Sequence, residues 1–159
     1  MTSAITALLR REGASSVPIE ISVVLCADHF IRDLNREHRG FDKATDVLSF
    51  PQEDVEDDSP TFPGQPDDLI VDASRVLGDV VISLQTADVQ ARAAGWSIED
   101  EVDLLAIHGV LHLLGYDDET VEGAAEMREI SAQVLKDVAI ELPAGDIHPY
   151  FIEYSGHMV

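Results

Sequence analysis

Ala106–Thr120 reads AIHGVLHLLGYDDET, and the interpretation of the chain turns on this stretch. His108 and His112 are four residues apart. On a helix that separation turns ~400°, so the imidazoles lie ~40° apart on one face and ~6 Å along the axis. Two ring nitrogens so placed can bind one tetrahedral ion. Gly115 is suited to a left-handed stop at the end of the helix. A reversal there brings Asp117 or Asp118 back towards the second histidine. A carboxylate oxygen would complete a three-donor set with one position left for water, the form of a catalytic zinc site. The competing reading is a pair of core histidines, but unpartnered buried polar groups cost roughly 1–3 kcal/mol each on so apolar a helix. The spacing also matches the metzincin protease pattern H-E-x-x-H-x-x-G-x-x-H. Position 109 is glycine, however, so the general-base glutamate of those enzymes is missing.

Working outward, Ser97 with Asp100 forms a capping pair that opens this helix, and Gly95 ends the preceding one, Leu84–Ala94. Val76–Ser83 (VLGDVVIS), Pro18–Ala27 (PIEISVVLCA) and Thr45–Phe50 (TDVLSF) read as strands, the last stopped by Pro51. Met1–Arg11 has helical apolar spacing. Asp28 is placed to cap a helix running to about His38, and a last helix spans about Glu119–Val138. Helices and strands mix without strict alternation. The expected fold is therefore α+β, one domain over residues 1–159, with a small mixed sheet packed against helices and a metal-binding HxxxH helix. Residues 52–74 read as an acidic surface loop, and the tail 143–159 carries little signal.

The chain has 159 residues, with 10 Lys+Arg against 31 Asp+Glu, a net charge of −21. Proteins that coat nucleic acid through its phosphates are mostly basic, so this balance argues against broad non-specific binding and leaves room only for a small local basic patch. Residues 1–40 are neutral. Arg32, Arg36 and Arg39 recur at helical spacing within them and are expected to form one stripe facing the metal. No apolar run reaches the ~18 residues of a membrane span. The opening MTSAITALLRREG has no basic start before a long apolar core and no small-residue cleavage pattern, so no secretory signal is expected there. The single cysteine, Cys26, excludes an internal disulfide framework and suits a reducing cytosol, where it is expected to be an inert core thiol.

At these residues the sequence resembles the YbeY-type family of endoribonucleases and ribosomal-RNA maturation factors. The family pattern H-G-x-L-H-L-x-G-Y-D-H is similar to HGVLHLLGYDD at His108–Asp118. LNREHRGFDKATDVLSFP (Leu34–Pro51), LGDVVIS (Leu77–Ser83) and EMREI (Glu126–Ile130) match further family stretches in order. The resemblance runs from about Ile21 to Leu135. It implies a zinc-dependent, single-strand-specific endoribonuclease acting in 16S rRNA maturation and ribosome quality control. Implied partners are rRNA and the ribosomal small subunit or assembly factors, in the cytoplasm, with no membrane and no DNA. It assigns His108, His112 and Asp118 as metal ligands, Asp118 standing where the family has histidine. It also assigns Arg39 as the catalytic cation for phosphate, a role that suits a bidentate guanidinium. The alternatives are an assembly module whose metal is mainly structural and, less favoured, a metal-dependent peptidase.

Several residues keep two readings. Thr45 and Ser49 offer hydroxyls to a phosphate or simply pack. Asp79 orients a ligand histidine or caps a turn. Tyr116 stacks on a base or packs. His29, His38, His148 and His157 have no role in this reading.

Overall fold

The computed structural model describes residues 1–13, 18–52 and 75–142. Nearly all of the acidic loop and the tail 143–159, with His148 and His157, lie outside the described residues. Along the chain come α1 (Thr2–Arg11), β1 (Ile19–Cys26), α2 (Asp28–Arg39), β2 (Val47–Pro51), β3 (Arg75–Ser83), α3 (Leu84–Ala94), α4 (Ile98–Leu113) and α5 (Val121–Asp137).

The three strands form one mixed sheet in the order β1-β3-β2. β1 runs parallel to β3, from Ile19 opposite Arg75 to Cys26 opposite Ser83. β2 runs antiparallel, from Val47 opposite Ile82 to Pro51 opposite Gly78. Pro51 is tolerated as the last residue of β2, which is an edge strand. β3 is the central strand, and its side chains alternate between two hydrophobic clusters. Val80 and Ile82 join the main core, whereas Val81 packs with Leu48 and with Ile31 of α2.

α4 is the element around which the rest is built. Eleven of its sixteen residues are buried, so it belongs to the class of helices that are apolar on every side and sit inside the protein. It packs on β2 and β3 along one flank and on α1, α3 and α5 elsewhere. The expected cap is present: the Asp100 amide donates to Ser97 Oγ at 3.1 Å, and that hydroxyl donates to the Asp100 carboxylate at 2.8 Å.

The cap assigned to Asp28 is not. Ala27 occupies the cap position and makes no side-chain bond. The Asp28 carboxylate instead accepts the hydroxyls of Ser83 and of Thr86, the latter at 2.9 Å, and its amide donates to Gln85 Oε1 at 2.8 Å. Asp28 therefore ties the start of α2 to the start of α3. The Ser83 hydroxyl, with help from Thr86, holds its carboxyl below the usual range.

Candidate metal centre and its cleft

α4 ends in a turn that brings a third donor to the two histidines. Gly115 adopts φ 96°, a left-handed conformation that costs glycine no Cβ clash. The Tyr116 amide donates back to the Leu111 carbonyl and the Gly115 amide to that of His112, each at 3.0 Å. This closure points the Tyr116 carbonyl at His112 Nδ1, 3.0 Å away. A carbonyl only accepts, so Nδ1 carries the proton, and the lone pair of the neutral ring lies on Nε2.

His112 Nε2 is 3.1 Å from His108 Nε2. Asp118 Oδ2 lies 3.5 Å from the first histidine's Nε2 and 3.9 Å from the second's. Donors bound to one tetrahedral zinc at ~2.0–2.1 Å stand about 3.3–3.4 Å apart. The observed triangle brackets that edge, so His108, His112 and Asp118 can hold a metal ion with little movement. Burial, followed by the neighbouring His108, lowers the pKa of His112. The bond with His108 lowers that of Asp118. Both shifts favour the deprotonated forms that bind metal.

Local geometry separates the two carboxylates. Asp117 Oδ1 accepts the Glu119 amide at 3.0 Å, within its own turn. Asp118 is the one that meets the imidazoles.

The missing glutamate also has a physical account. A Cβ on Gly109 would sit 2.5 Å from Val80 Cγ1 and 3.1 Å from Ser49 Oγ. α4 lies so close to β2 and β3 here that a larger side chain has no space. The Ser49 hydroxyl spans the same contact, donating to the Gly109 carbonyl at 2.9 Å.

The centre opens into a cleft of about 610 Å³, lined in part by Arg39, Phe41, Thr45 and Ser49. Arg39 is exposed and makes no ion pair among the described residues. The expected arginine stripe breaks at this point. Arg32 forms two bonds to Asp42, each 2.8 Å, and Arg36 bonds Asp33 at 2.7 Å and Asp42 at 3.5 Å. Neither lines the cleft. The Thr45 hydroxyl donates to Asp46 Oδ1, which also accepts the Val47 amide. Gln90 bonds the other oxygen of Asp46 at 2.9 Å, fixing this wall.

Asp79 is exposed, and strand alternation turns it to the face opposite Val80 and α4. The group that orients His112 is the Tyr116 carbonyl. Tyr116 itself points away from the cleft: its hydroxyl donates to Glu12, the residue that follows α1, at 2.7 Å, and that bond raises its pKa to about 12. His38 packs edge-on against Phe50. Cys26 is half-buried, and burial pushes its thiol pKa up. Phe41 and Glu12 had no signal in the sequence reading. Phe41 lies inside the recognised motif at a position that the pattern leaves open, and Glu12 meets its partner 104 residues away.

Fold and site together define a small α+β protein with a His-His-Asp metal-competent centre in a polar cleft flanked by an arginine. Residues 1–139 match the family model described as "Endoribonuclease YbeY". The chain belongs to the YbeY endoribonuclease family. Curated relatives carrying that name include one from Heliobacterium modesticaldum, 42% identical over 135 residues, covering 85% of this chain and 79% of the relative. Another, from Carboxydothermus hydrogenoformans, is 40% identical over 141 residues, covering 89% and 85%. The solution structure of TM1509 from Thermotoga maritima is similar at 25% identity and a TM-score of 0.51, covering 86% of this chain and 81% of that one. Endoribonucleases hydrolyse RNA phosphoester bonds, so this is a family of hydrolases. Among the described residues no helix is long and apolar enough to cross a membrane.

Proposed function

We propose that the chain is a zinc-dependent, single-strand-specific endoribonuclease acting in 16S rRNA maturation and ribosome quality control in the cytoplasm. His108, His112 and Asp118 hold the metal, and Arg39 binds the scissile phosphate. The observation that carries the reading is the donor triangle of 3.1, 3.5 and 3.9 Å opening into the cleft that Arg39 lines.

A zinc ion held by His108, His112 and Asp118 would supply Lewis acidity, for a bound water or for a phosphoryl oxygen. The chain's own residues do the rest. Arg39 receives non-bridging phosphate oxygens through its planar fork and offsets charge that grows as the phosphorus is attacked. The Tyr116 carbonyl keeps the proton of His112 on Nδ1, away from the cleft. Ser49 pins α4, which carries both histidines, to β2 of the sheet.

The net charge of −21 favours a second reading, in which ribosomal small-subunit or assembly factors hold the chain on rRNA and cutting is minor. Purified protein and a defined single-stranded RNA separate the two. Multiple turnover that is lost in a folded His112→Ala variant supports the nuclease. Binding without turnover in the zinc-loaded wild type supports the assembly module.

A further inference from the structure

Phe41 is the one large apolar side chain among the cleft residues that stays mostly open to water, with 58% of it exposed. Single exposed apolar residues are common and need no explanation. Phe41 differs in how firmly its surroundings are held. Its amide donates to the Asn35 carbonyl at 3.3 Å, and the Lys43 amide donates to its carbonyl at 2.9 Å. The Asn35 side chain, only 3% exposed, donates to the Lys43 carbonyl at 2.9 Å. Asp42, the next residue, is gripped by Arg32 at 2.8 Å and Arg36 at 3.5 Å. The backbone on both sides of the ring is therefore fixed, while the ring itself is left in the cleft mouth.

Its neighbours carry the complementary charge. Arg39, two residues before it, lines the same cleft. Lys43 Nζ stands 5.9 Å from the ring centroid. An exposed aromatic ring on a fixed backbone, with one cation lining the same cleft and a second over the ring, has the form of a single-stranded RNA subsite. In such subsites a ring takes a base by stacking and cations take flanking phosphates. Stacking also explains how so acidic a chain holds RNA with few cations, since it is uncharged.

We infer that Phe41 is a base-stacking platform for the nucleotide next to the scissile phosphate of a single-stranded RNA. This rests on the endoribonuclease reading and adds to it a subsite indifferent to base identity. Arg32 and Arg36 then have an indirect part, holding the platform through Asp42.

The test compares wild type, Phe41→Ala and Phe41→Trp, all full-length and zinc-loaded. The probes are a short single-stranded oligoribonucleotide and the same strand with abasic sugars in place of its central nucleosides. Binding is read by anisotropy, cleavage as KM and kcat, and metal content is assayed for each variant. Loss of one base stack predicts that Phe41→Ala binds the intact strand about 5- to 150-fold more weakly, and raises KM in step, with kcat nearly unchanged. On the abasic strand the same variant should match wild type. Phe41→Trp should keep full affinity and show saturable quenching of the new indole, after subtraction of the Trp96 signal.

Equal binding of the intact strand by wild type and Phe41→Ala overturns the platform, and wild-type cleavage in that experiment leaves the nuclease reading standing. Equal weakening on both strands also overturns it, because the ring would then act without a base. If wild type cuts neither strand, the nuclease reading fails. The indole signal then decides the platform alone: saturable quenching by the intact strand upholds it and flat emission overturns it.

Discussion

Replacing Gly109 by alanine sets two forces of opposite sign against each other in the middle of α4. In a free helix interior the change stabilises by about 0.8–1.0 kcal/mol, because alanine restricts the unfolded chain and propagates the helix better. Here the new methyl lands 2.5 Å from Val80 Cγ1, 3.2 Å from its Cγ2 and 3.1 Å from Ser49 Oγ. Carbon pairs rest at about 3.5–4.0 Å, so α4 or Val80 must give way by about 1 Å. Val80 is fully buried and β-branched, with little freedom to turn aside. Overpacking of this kind costs about 1–3 kcal/mol. Subtracting the helix gain leaves a net loss of about 1 kcal/mol, read as a lower urea midpoint at constant slope. Any retreat of α4 also stretches the bond from Ser49 and moves His108, one residue away, so zinc affinity should fall as well. In a Val80→Ala background the methyl has space, and the same substitution should turn stabilising. A Gly109→Ala single variant that gains about 1 kcal/mol would refute the close seating of α4 on the sheet.

Other perturbations follow from the same geometry. Zinc added at a free concentration about 100-fold above its dissociation constant should stabilise the metal-free protein by about 2.7 kcal/mol, and His112→Ala should abolish that increment in a denaturation series. The Tyr116 phenol should titrate near pH 12, as measured by phenolate absorbance against Tyr116→Phe, and Glu12→Gln should bring it back towards the ordinary value. Its folded pKa is raised, so the stabilisation is complete below the unfolded value of about 10 and is lost as pH rises through about 12. Asp28 has the opposite sign. Its folded pKa is depressed, so its contribution is present above the unfolded value of about 3.9 and disappears as pH falls through the folded one. Asp28→Asn should flatten the acid limb of a stability-against-pH curve.

What was legible in the sequence was what is local. Ser97, the apolar run after it and Gly115 mark α4 because a cap, a buried helix and a left-handed stop each act within a turn or two of chain. The donor set was visible for the same reason, since His108, His112 and Asp118 lie within eleven consecutive positions. The misreadings all involve partners that fold topology supplies. Asp28 has the look of a cap, but Ser83 and Thr86, more than fifty residues on, reach it first. Arg32, Arg36 and Arg39 share a helical face, yet a loop acid at position 42 claims two of them and leaves the third in the cleft. The periodicity of α2 shows which side chains are neighbours and carries nothing about the acid that the next loop folds over them. The parallel pairing of β1 with β3, and with it the face on which Asp79 falls, is likewise set by contacts that no window of sequence contains.

The burial of α4 on every side has a kinetic corollary. Amide hydrogens along its middle can exchange only when the whole molecule opens, because no surface of that helix is shed by a local fluctuation. The turn beyond Gly115 is different: its residues from Asp117 to Thr120 are exposed, and the side chain of Asp118 is 42% accessible. Of the three candidate donors, the carboxylate is therefore the most accessible and the one on the least buried segment. For a metal held there, the opening free energy of that short turn would set how fast it exchanges.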